Sequence, residues 1–198
     1  MRKIYHADSR KLIAEQSLSS LYEGVPPEVK ERAERFRFPR DAYNFVNGRI
    51  LLQKGLRELG LDDDLSKIQY QENGKPQLDG VYFNISHSDH RVVCVLSTEG
   101  EIGVDVEVRG TIELESFVNY FTETEWSDIN EADDPIGRFY FYWTRKEAVI
   151  KALGVTLSWL HDIELDAKGE RFEFGGREWV LEEVELEVEK ETYCVLCY

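Results

Sequence analysis

The sequence predicts an α+β fold. Three apolar runs, VYFNIS, RVVCVLS and IGVDVEV, follow one another and are broken only at HSDH and TEG, which is the pattern of consecutive strands. Two longer stretches, one on each side of these strands, repeat their apolar residues at helical spacing. Because strands and helices occur at irregular spacing rather than in strict alternation, a doubly wound parallel sheet is disfavoured.

Local patterns justify the elements of the first half. KIYHAD is typical of a strand, and a helix is expected over residues 28–36. Asp41 is a good N-cap for a second helix that ends at Gly60, and ENGKPQ has the composition of a turn. In NISHS, Ser86 and His87 follow a predicted strand directly, so we expect them in a loop, where a histidine is usually only solvated.

The second half repeats this mixture of helices and strands. Thr122 and Glu125 in TETE form a capping-box pattern at the start of a helix, and RFYFYWTRKEAVIKAL predicts a long aromatic helix. The last third returns to short strands. In LEEVELEVEK, glutamates alternate with Val184, Leu186 and Val188, which predicts a strand with one face in water.

Length and composition indicate a globular protein. The chain has 198 residues, enough for one large domain or two small ones. No apolar run approaches the roughly 20 residues that span a bilayer, and the N-terminus lacks a signal-peptide core, so we expect a cytoplasmic protein. Three cysteines are too few for a disulfide framework. Cys194 and Cys197 have C-x-x-C spacing, but on a strand they would face opposite sides, which argues against a metal or redox pair.

The formal net charge of −15 argues against a general affinity for nucleic acid or anionic membranes. The charge is distributed unevenly, however. Residues 30–49 contain six bases and three acids, whereas residues 161–198 contain twelve acids and four bases. The basic segment is either a solvated helix face or a local anion site, and its composition leaves both interpretations open.

Two carboxylates lie two residues apart in the strand-like run EIGVDVE. Side chains alternate along a strand, so Asp105 and Glu107 point to the same face, roughly 6 to 7 Å apart. Because like charges repel, either a cation lies between them or that face is open to water.

The aromatic helix places one lysine in an apolar stripe. Lys146 shares this stripe with Phe139 and Val149, whereas Glu147 and Lys151 lie on its flank. A buried ammonium needs an anion, and spacing alone favours a structural carboxylate over a ligand phosphate. Glu147 and Lys151, four residues apart, are consistent with a surface ion pair.

No G-x-S-x-G, Gly-rich phosphate loop or H-E-x-x-H occurs in the chain, so hydrolase-elbow, Walker and zincin sites lack support. Five segments in order, NGKP, FNISHS, IGVDVE, FTETEW and WTRKEAVIKALG, resemble the 4′-phosphopantetheinyl transferases of the surfactin-synthetase type. Such enzymes transfer the phosphopantetheine arm of coenzyme A to a serine of an apo acyl, peptidyl or aryl carrier protein. They release adenosine 3′,5′-bisphosphate.

The resemblance also implies an architecture. The family fold consists of two similar α+β halves related by a pseudo-twofold axis, with the active site between them. In this chain the halves would be residues 1–100, with the contacts to the 3′-phosphate and adenine of coenzyme A, and residues 101–198, with the metal and catalytic residues. The resemblance implies a monomer as well.

The resemblance supplies the cation for the paired carboxylates. It implies that Asp105, Glu107 and Glu147 bind Mg²⁺, which prefers oxygen ligands, and that Glu147 accepts the proton of the carrier serine. Lys151 is the implied catalytic contact to the pyrophosphate of coenzyme A. Lys146 is its implied companion, which reverses the preference for a structural carboxylate at this position.

Further coenzyme A contacts are implied in the first half. Ser86 and His87 match the loop that touches the phosphates, and His87 is assigned to the 3′-phosphate. The adenine-side loop and the basic helix are represented by Lys75 and Arg32, respectively. One position departs from the family, since many relatives have an arginine where this chain has Asn44. Arg40 or Arg49 would then cover the 3′-phosphate instead, although Arg49 lies five residues from Asn44, which is not a same-face helical spacing.

Two other functions remain as alternatives. One is a noncatalytic relative that binds carrier proteins, which would be expected to have lost a metal carboxylate. The other is a Mg²⁺-dependent nucleotide phosphodiesterase, which is disfavoured because no extra nucleophile or second metal cluster is present. For the carrier partner, SFVNYFTETEW is a candidate apolar docking segment, although Phe117, Tyr120 and Phe121 have the spacing of core residues.

Overall fold

The computed structural model describes residues 1–165, 168–186 and 191–198. Backbone contacts divide the chain into two compact units, Met1–Gly100 and Glu101–Tyr198. Each unit combines helices with antiparallel strands, so the predicted α+β class is confirmed. No helix in these described ranges is both long enough and apolar enough to span a membrane.

The first unit places its helices before most of its strands. The helices are α1 (Ser9–Glu15), α2 (Leu18–Tyr22), α3 (Pro27–Ala33) and α4 (Pro39–Glu58). The strands are β1 (Arg2–Asp8), β2 (Gln69–Tyr70), β3 (Pro76–Gln77), β4 (Tyr82–Ser88) and β5 (Arg91–Ser97). One antiparallel sheet has the order β1-β5-β4, and β2 pairs separately with β3.

Helix α4 packs on the three-stranded sheet and builds the core of this unit. Leu52 and Leu56 are fully buried among side chains of β4 and β5. The prediction that Asp41 caps this helix is wrong, because the helix begins at Pro39 with Phe38 as N-cap. Proline is favoured at the first helical position, where its fixed φ suits the helix and its missing N–H is not needed.

The strand predicted in VYFNIS is confirmed, but the loop that was expected to include Ser86 and His87 begins later. Ser86 and His87 lie within β4 and pair with Val93 and Val92 of β5. The turn comes later, at Asp89, which has a positive φ of 51°. Polar side chains conceal the end of this strand in the sequence, because strand pairing uses backbone groups and does not require apolar side chains there.

In the second unit, a four-stranded sheet packs against one long helix. Its helices are α5 (Glu123–Glu131) and α6 (Pro135–Leu153), with 3-10 helices at Leu114–Tyr120 and Leu157–Asp162. Its strands are β6 (Gly103–Val108), β7 (Arg171–Phe174), β8 (Arg177–Glu183) and β9 (Thr192–Cys197), in the antiparallel order β6-β9-β8-β7. The capping box predicted at Thr122 and Glu125 is confirmed at the start of α5.

The strand predicted in LEEVELEVEK is shorter than expected. Strand β8 ends at Glu183, although the Val184 N–H still donates to the carbonyl oxygen of Cys194 at 2.9 Å. Glu187, Val188 and Glu189 lie outside the described residues. All three cysteines of the chain are buried and unbridged.

Helix α6 lies unusually close to β6. A Cβ atom built on Gly103 would be 2.2 Å from the carbonyl oxygen of Ala148 and 2.5 Å from the amide nitrogen of Ala152. Only a residue without a side chain fits at this distance from a helix backbone. Gly103 therefore sets the spacing between the strand and the helix that carry the predicted metal ligands.

Candidate active site

Strand β6 presents a carboxylate to the flank of α6. Side chains alternate along the strand, so Gly103, Asp105 and Glu107 share the face that lies against the helix. Asp105 is only 2% exposed. A buried carboxylate requires a compensating cation or hydrogen-bond donors.

Lys151 is the cation that meets Asp105. Its Nζ donates to Asp105 Oδ1 at 2.6 Å and lies 3.7 Å from Glu147 Oε2, one helical turn earlier. About a quarter of the Lys151 side chain remains exposed, at 27%, compared with 13% for Glu147. The i, i+4 pair of Glu147 and Lys151 is thus part of a cluster that also includes Asp105, and it is not an ordinary surface ion pair.

The electrostatics of this cluster are strongly coupled. Burial raises the pKa of Glu147, Lys151 partly offsets this increase, and Asp105 adds to it. For Lys151, burial lowers the pKa, but the attraction of Asp105 and then of Glu147 outweighs burial and raises it above its ordinary value. Lys151 therefore stays charged between the two carboxylates.

Glu107 takes a more peripheral position. It is partly exposed near the end of β6, and its charge contributes to the raised pKa of Lys151. Within residues 1–165, 168–186 and 191–198, no three His, Cys, Asp or Glu side chains have the arrangement of a metal-binding cluster. The structure brings Asp105, Glu147 and Lys151 together, and the role implied for Glu107 as a third metal ligand stays a prediction.

Lys146 points away from this cluster into the core. Its side chain is 0% exposed, and Nζ lies 2.5 Å from Glu125 Oε2. The ammonium also donates to the carbonyl oxygens of Leu160 at 2.9 Å and Tyr120 at 3.4 Å. This is the structural carboxylate that the apolar stripe favoured, whereas the coenzyme A contact that the resemblance implies for Lys146 stays a prediction.

The candidate docking segment is mostly interior. Phe121 is 3% exposed, and Phe117 and Tyr120 pack against the same core as Phe139. The core interpretation of these aromatic residues therefore holds. Val118, at 39% exposed, is the apolar side chain that the segment presents to solvent.

In the first unit, the two predicted phosphate contacts of β4 face opposite sides of the strand. Ser86 is 5% exposed, whereas His87 is an exposed side chain. Lys75 follows the tight turn at Gly74 between β2 and β3, where its backbone N–H donates to Asn73 Oδ1 at 2.9 Å.

The basic residues of α3 and α4 have different surroundings. The Arg32 guanidinium carbon lies 5.4 Å from the centre of the Phe45 ring and 5.3 Å from that of Tyr70. Arg40 instead faces acids, with its guanidinium 3.5 Å from Asp89 and 3.4 Å from Asp41. A phosphate at Arg40 would meet these carboxylates.

Asn44 has a structural role in the same unit. It is 1% exposed, and its side-chain oxygen accepts a hydrogen bond from Ser9 Oγ at 2.5 Å. Its amide nitrogen donates to the carbonyl oxygen of Asp89 at 2.8 Å. Asn44 therefore ties the start of α1 to the β4–β5 turn, and its amide is not available to hold a phosphate.

Comparison with known proteins identifies both units. The model of the 4′-phosphopantetheinyl transferase superfamily matches residues 101–194, and a model described as 4′-phosphopantetheinyl transferase, N-terminal, matches residues 13–99. The chain is 32% identical over 162 residues to the 4′-phosphopantetheinyl transferase Sfp of Bacillus subtilis strain 168, covering 79% of this chain and 72% of that protein. The chain belongs to the 4′-phosphopantetheinyl transferase superfamily.

Other members of this superfamily match to a similar extent. The 4′-phosphopantetheinyl transferase HetI of Nostoc is 33% identical over 162 residues, covering 76% of this chain and 68% of that protein. The transferase ffp of Bacillus subtilis is 31% identical over 181 residues, covering 88% and 79%, respectively. The resemblance inferred from five short segments is thus confirmed over most of the chain.

Sequence reasoning missed two residues that organise this transferase site. Gly103 lies in the segment IGVDVE, but a single sequence gives no indication that this glycine lies in close contact with α6. Glu125 was assigned only to a capping box, although it also neutralises Lys146. Because the apolar stripe predicts a buried anion for Lys146, a glutamate already predicted at a helix start, such as Glu125, was a candidate for that anion.

Proposed function

We propose that this transferase moves the 4′-phosphopantetheine arm of coenzyme A to the serine of an apo carrier protein and releases adenosine 3′,5′-bisphosphate. The observation that carries the proposal is the convergence of Asp105 and Glu147 on one cation, Lys151 Nζ, in a member of this superfamily. Negative charge on an attacked pyrophosphate is stabilised by preorganised cations, and Lys151 together with a bound metal ion would supply them at this point.

The donor chemistry of the site fits Mg²⁺. Two carboxylates already meet within 4 Å of one ammonium, and Mg²⁺ typically takes one or two carboxylates together with substrate phosphates and water. Asp105 and Glu147 would hold the ion, and Glu107 would join them from the same face of β6. When bound, Mg²⁺ would stabilise negative charge on the pyrophosphate and the leaving group.

The side chains of α6 would perform the remaining steps. Lys151 would contact the pyrophosphate and orient the attacked phosphorus. Glu147 would accept the proton of the serine hydroxyl, which is a poor nucleophile while protonated. Oxygen–phosphorus bond formation at the serine would accompany breakage of the bond to adenosine 3′,5′-bisphosphate, which leaves with the electron pair.

Residues of the first unit would hold the nucleotide end of coenzyme A. Ser86, His87 and Arg32 are proposed for the phosphates, with His87 directed to the 3′-phosphate, and Lys75 is proposed for the adenine side. Arg40 is a weaker candidate, because Asp41 and Asp89 already face its guanidinium. A monomeric state and a cytoplasmic location remain predictions from the sequence.

The test is a carrier-loading reaction followed by intact-mass measurement. Chain, coenzyme A and Mg²⁺ should add one phosphopantetheine to an apo carrier, and no mass should be added to a carrier whose acceptor serine is alanine. Glu147→Gln should abolish loading, and EDTA should do the same. Glu173→Gln, which alters an exposed glutamate of β7, is the matched control and should load normally.

The alternatives give different results in this assay. A noncatalytic carrier-binding relative would leave the carrier mass unchanged while still binding the carrier. A nucleotide phosphodiesterase would cleave coenzyme A without any carrier present. Normal loading by Glu147→Gln would contradict the assigned role of this carboxylate.

A further inference from the structure

Lys151 is a positive charge that the chain itself places between two proposed metal ligands. Its Nζ donates to Asp105 Oδ1 at 2.6 Å and lies 3.7 Å from Glu147 Oε2. Mg²⁺ binds carboxylate oxygens as well, and it repels a second cation at contact distance. Lys151 and a metal ion therefore compete for the oxygens of Asp105 and Glu147.

The side chain of Lys151 is the part of this cluster that is built to move. The side chain of Asp105 is buried and that of Glu147 is largely buried, whereas about a quarter of the Lys151 side chain is exposed. The backbones of β6 and α6 are held together by the close approach at Gly103. A lysine ammonium sits on a flexible four-carbon stem, so Nζ can change position while its helix stays in place.

We infer that Lys151 is an internal counter-ion, which neutralises Asp105 and Glu147 when no metal is bound and is released from Asp105 when a divalent cation binds. The inference rests on the proposed function for the identity of the metal ligands. A divalent cation neutralises both carboxylates, which leaves the charge of Lys151 available to an anion from outside the chain. The pyrophosphate of the substrate is that anion in the proposed reaction.

The arrangement selects ions by their charge. Lys151 lies one helical turn from Glu147 on the same helix, so its ammonium is present at the two carboxylates at a high effective concentration. A monovalent cation would only replace one single positive charge by another. A divalent cation doubles the attraction to each carboxylate and can displace the ammonium. We therefore expect Mg²⁺ and Mn²⁺, but not K⁺, to release Lys151.

This exchange links binding of the metal to binding of coenzyme A. In the free protein, metal binding must break the contact between Lys151 and Asp105, which weakens it by about tenfold or more, as expected for a charge-assisted hydrogen bond. An anion that binds the released ammonium favours the metal-bound state. By thermodynamic reciprocity, the metal then strengthens binding of that anion by the same factor.

Release of Lys151 can be observed in the wild-type protein by NMR. Order parameters of the Cε–Nζ groups are measured in protein with ¹³C- and ¹⁵N-labelled lysine. Without a divalent ion, Lys151 should be restricted, as should Lys146, whose fully buried ammonium meets Glu125 and serves as an internal reference on the same helix. Mg²⁺ should make the end of Lys151 mobile and leave Lys146 restricted, whereas K⁺ should change neither.

Metal affinity provides a second measurement. Lys151→Met removes the competing charge and keeps a side chain of similar length, so it should bind Mn²⁺ about tenfold or more tightly than wild type, as followed by electron paramagnetic resonance of the free ion without coenzyme A. Lys168→Met removes the same charge at an exposed lysine of this unit and should keep the wild-type affinity. Equal or weaker binding by Lys151→Met would overturn the inference.

Thermal unfolding checks the same exchange from the side of stability. Without a divalent ion, Lys151→Met should unfold at a lower temperature than wild type, because Asp105 and Glu147 lose their counter-ion. Saturating Mn²⁺ should remove most of this difference, since the metal replaces the lost charge. A difference that persists unchanged in Mn²⁺ would contradict the exchange.

The outcomes separate this inference from the proposed function, because neither a carrier nor a transfer reaction is needed. If wild type binds no Mn²⁺, the proposed metal site and the inference are both wrong. If wild type binds Mg²⁺ while Lys151 stays as restricted as Lys146, only the inference is wrong. If Lys151→Met does not fold, the order parameters of the wild-type protein still decide.

Discussion

Replacing Gly103 with alanine should disturb both the stability of the second unit and the geometry of its acidic site. The new Cβ would lie 2.2 Å from the carbonyl oxygen of Ala148, 2.5 Å from the Ala152 nitrogen and 2.9 Å from the Ala152 Cβ. Two of these atoms belong to the helix backbone, so a change of rotamer cannot relieve the overlap. Strand β6 and helix α6 must move apart.

The size of the movement follows from the contact distances. An ordinary carbon–oxygen contact is about 3.4 Å or longer, so the strand must withdraw from the helix by roughly 1 Å. Overpacking of this kind costs about 1 to 3 kcal/mol, and each kcal/mol lowers Tm by about 2 to 4 °C in a chain of this size. A displacement of about 1 Å between Asp105 and Glu147 can reduce turnover about 100-fold.

Thermal unfolding and carrier loading should therefore both change in Gly103→Ala. Gly110→Ala is a matched control just beyond the same strand, because its Cβ would meet only Tyr140 Oη, at an ordinary 3.8 Å. Wild-type Tm and turnover in Gly103→Ala would refute the argument that this glycine sets the distance between β6 and α6.

Three further outcomes are expected. Lys146→Met should lower the free energy of unfolding in urea by about 3 to 5 kcal/mol, because Glu125 is left as an uncompensated buried charge. Adding Glu125→Leu should restore much of this loss. Full stability of the Lys146→Met variant would contradict the prediction. The side-chain hydrogen bond from Arg10, partly opposed by burial, lowers the pKa of Asp8 to about 2. Asp8 therefore stabilises the fold above its ordinary pKa and loses this effect as pH falls towards 2, so the Tm difference between wild type and Asp8→Asn should be present at pH 5 and vanish near pH 2. Val118→Asp should raise KM for the carrier and leave KM for coenzyme A unchanged. In the wild-type protein, KM for the carrier should depend little on salt, since an apolar contact is not screened. A steep loss of carrier affinity with salt would instead indicate docking on the basic helices.

Much of the fold was predictable because it depends on local patterns. The capping box at Thr122 and the apolar runs of β4, β5 and β6 were read correctly, since each is encoded by neighbouring residues. The pairing of β6 with β9 was not predictable, because it joins segments more than 80 residues apart. Nothing in either strand alone specifies its partner.

The site was predictable to a different degree at each position. The spacing of Glu147 and Lys151 indicated an ion pair, and the stripe through Lys146 indicated a buried anion. Glu125 could not be named as that anion, since its contact with Lys146 depends on how α5 packs against α6. For Lys146, the structure shows the buried carboxylate partner that the apolar stripe predicted.

The three buried cysteines offer a way to observe the two units separately. Cys94 lies in the first unit, whereas Cys194 and Cys197 lie in the second, and burial raises the pKa of Cys194 to about 12 and that of Cys94 still further. Because thiols are alkylated as thiolates, none of the three should react while its own unit stays closed. Pulsed alkylation followed by peptide mass mapping should then measure the opening rate of each unit separately, in the native sequence and without any introduced label.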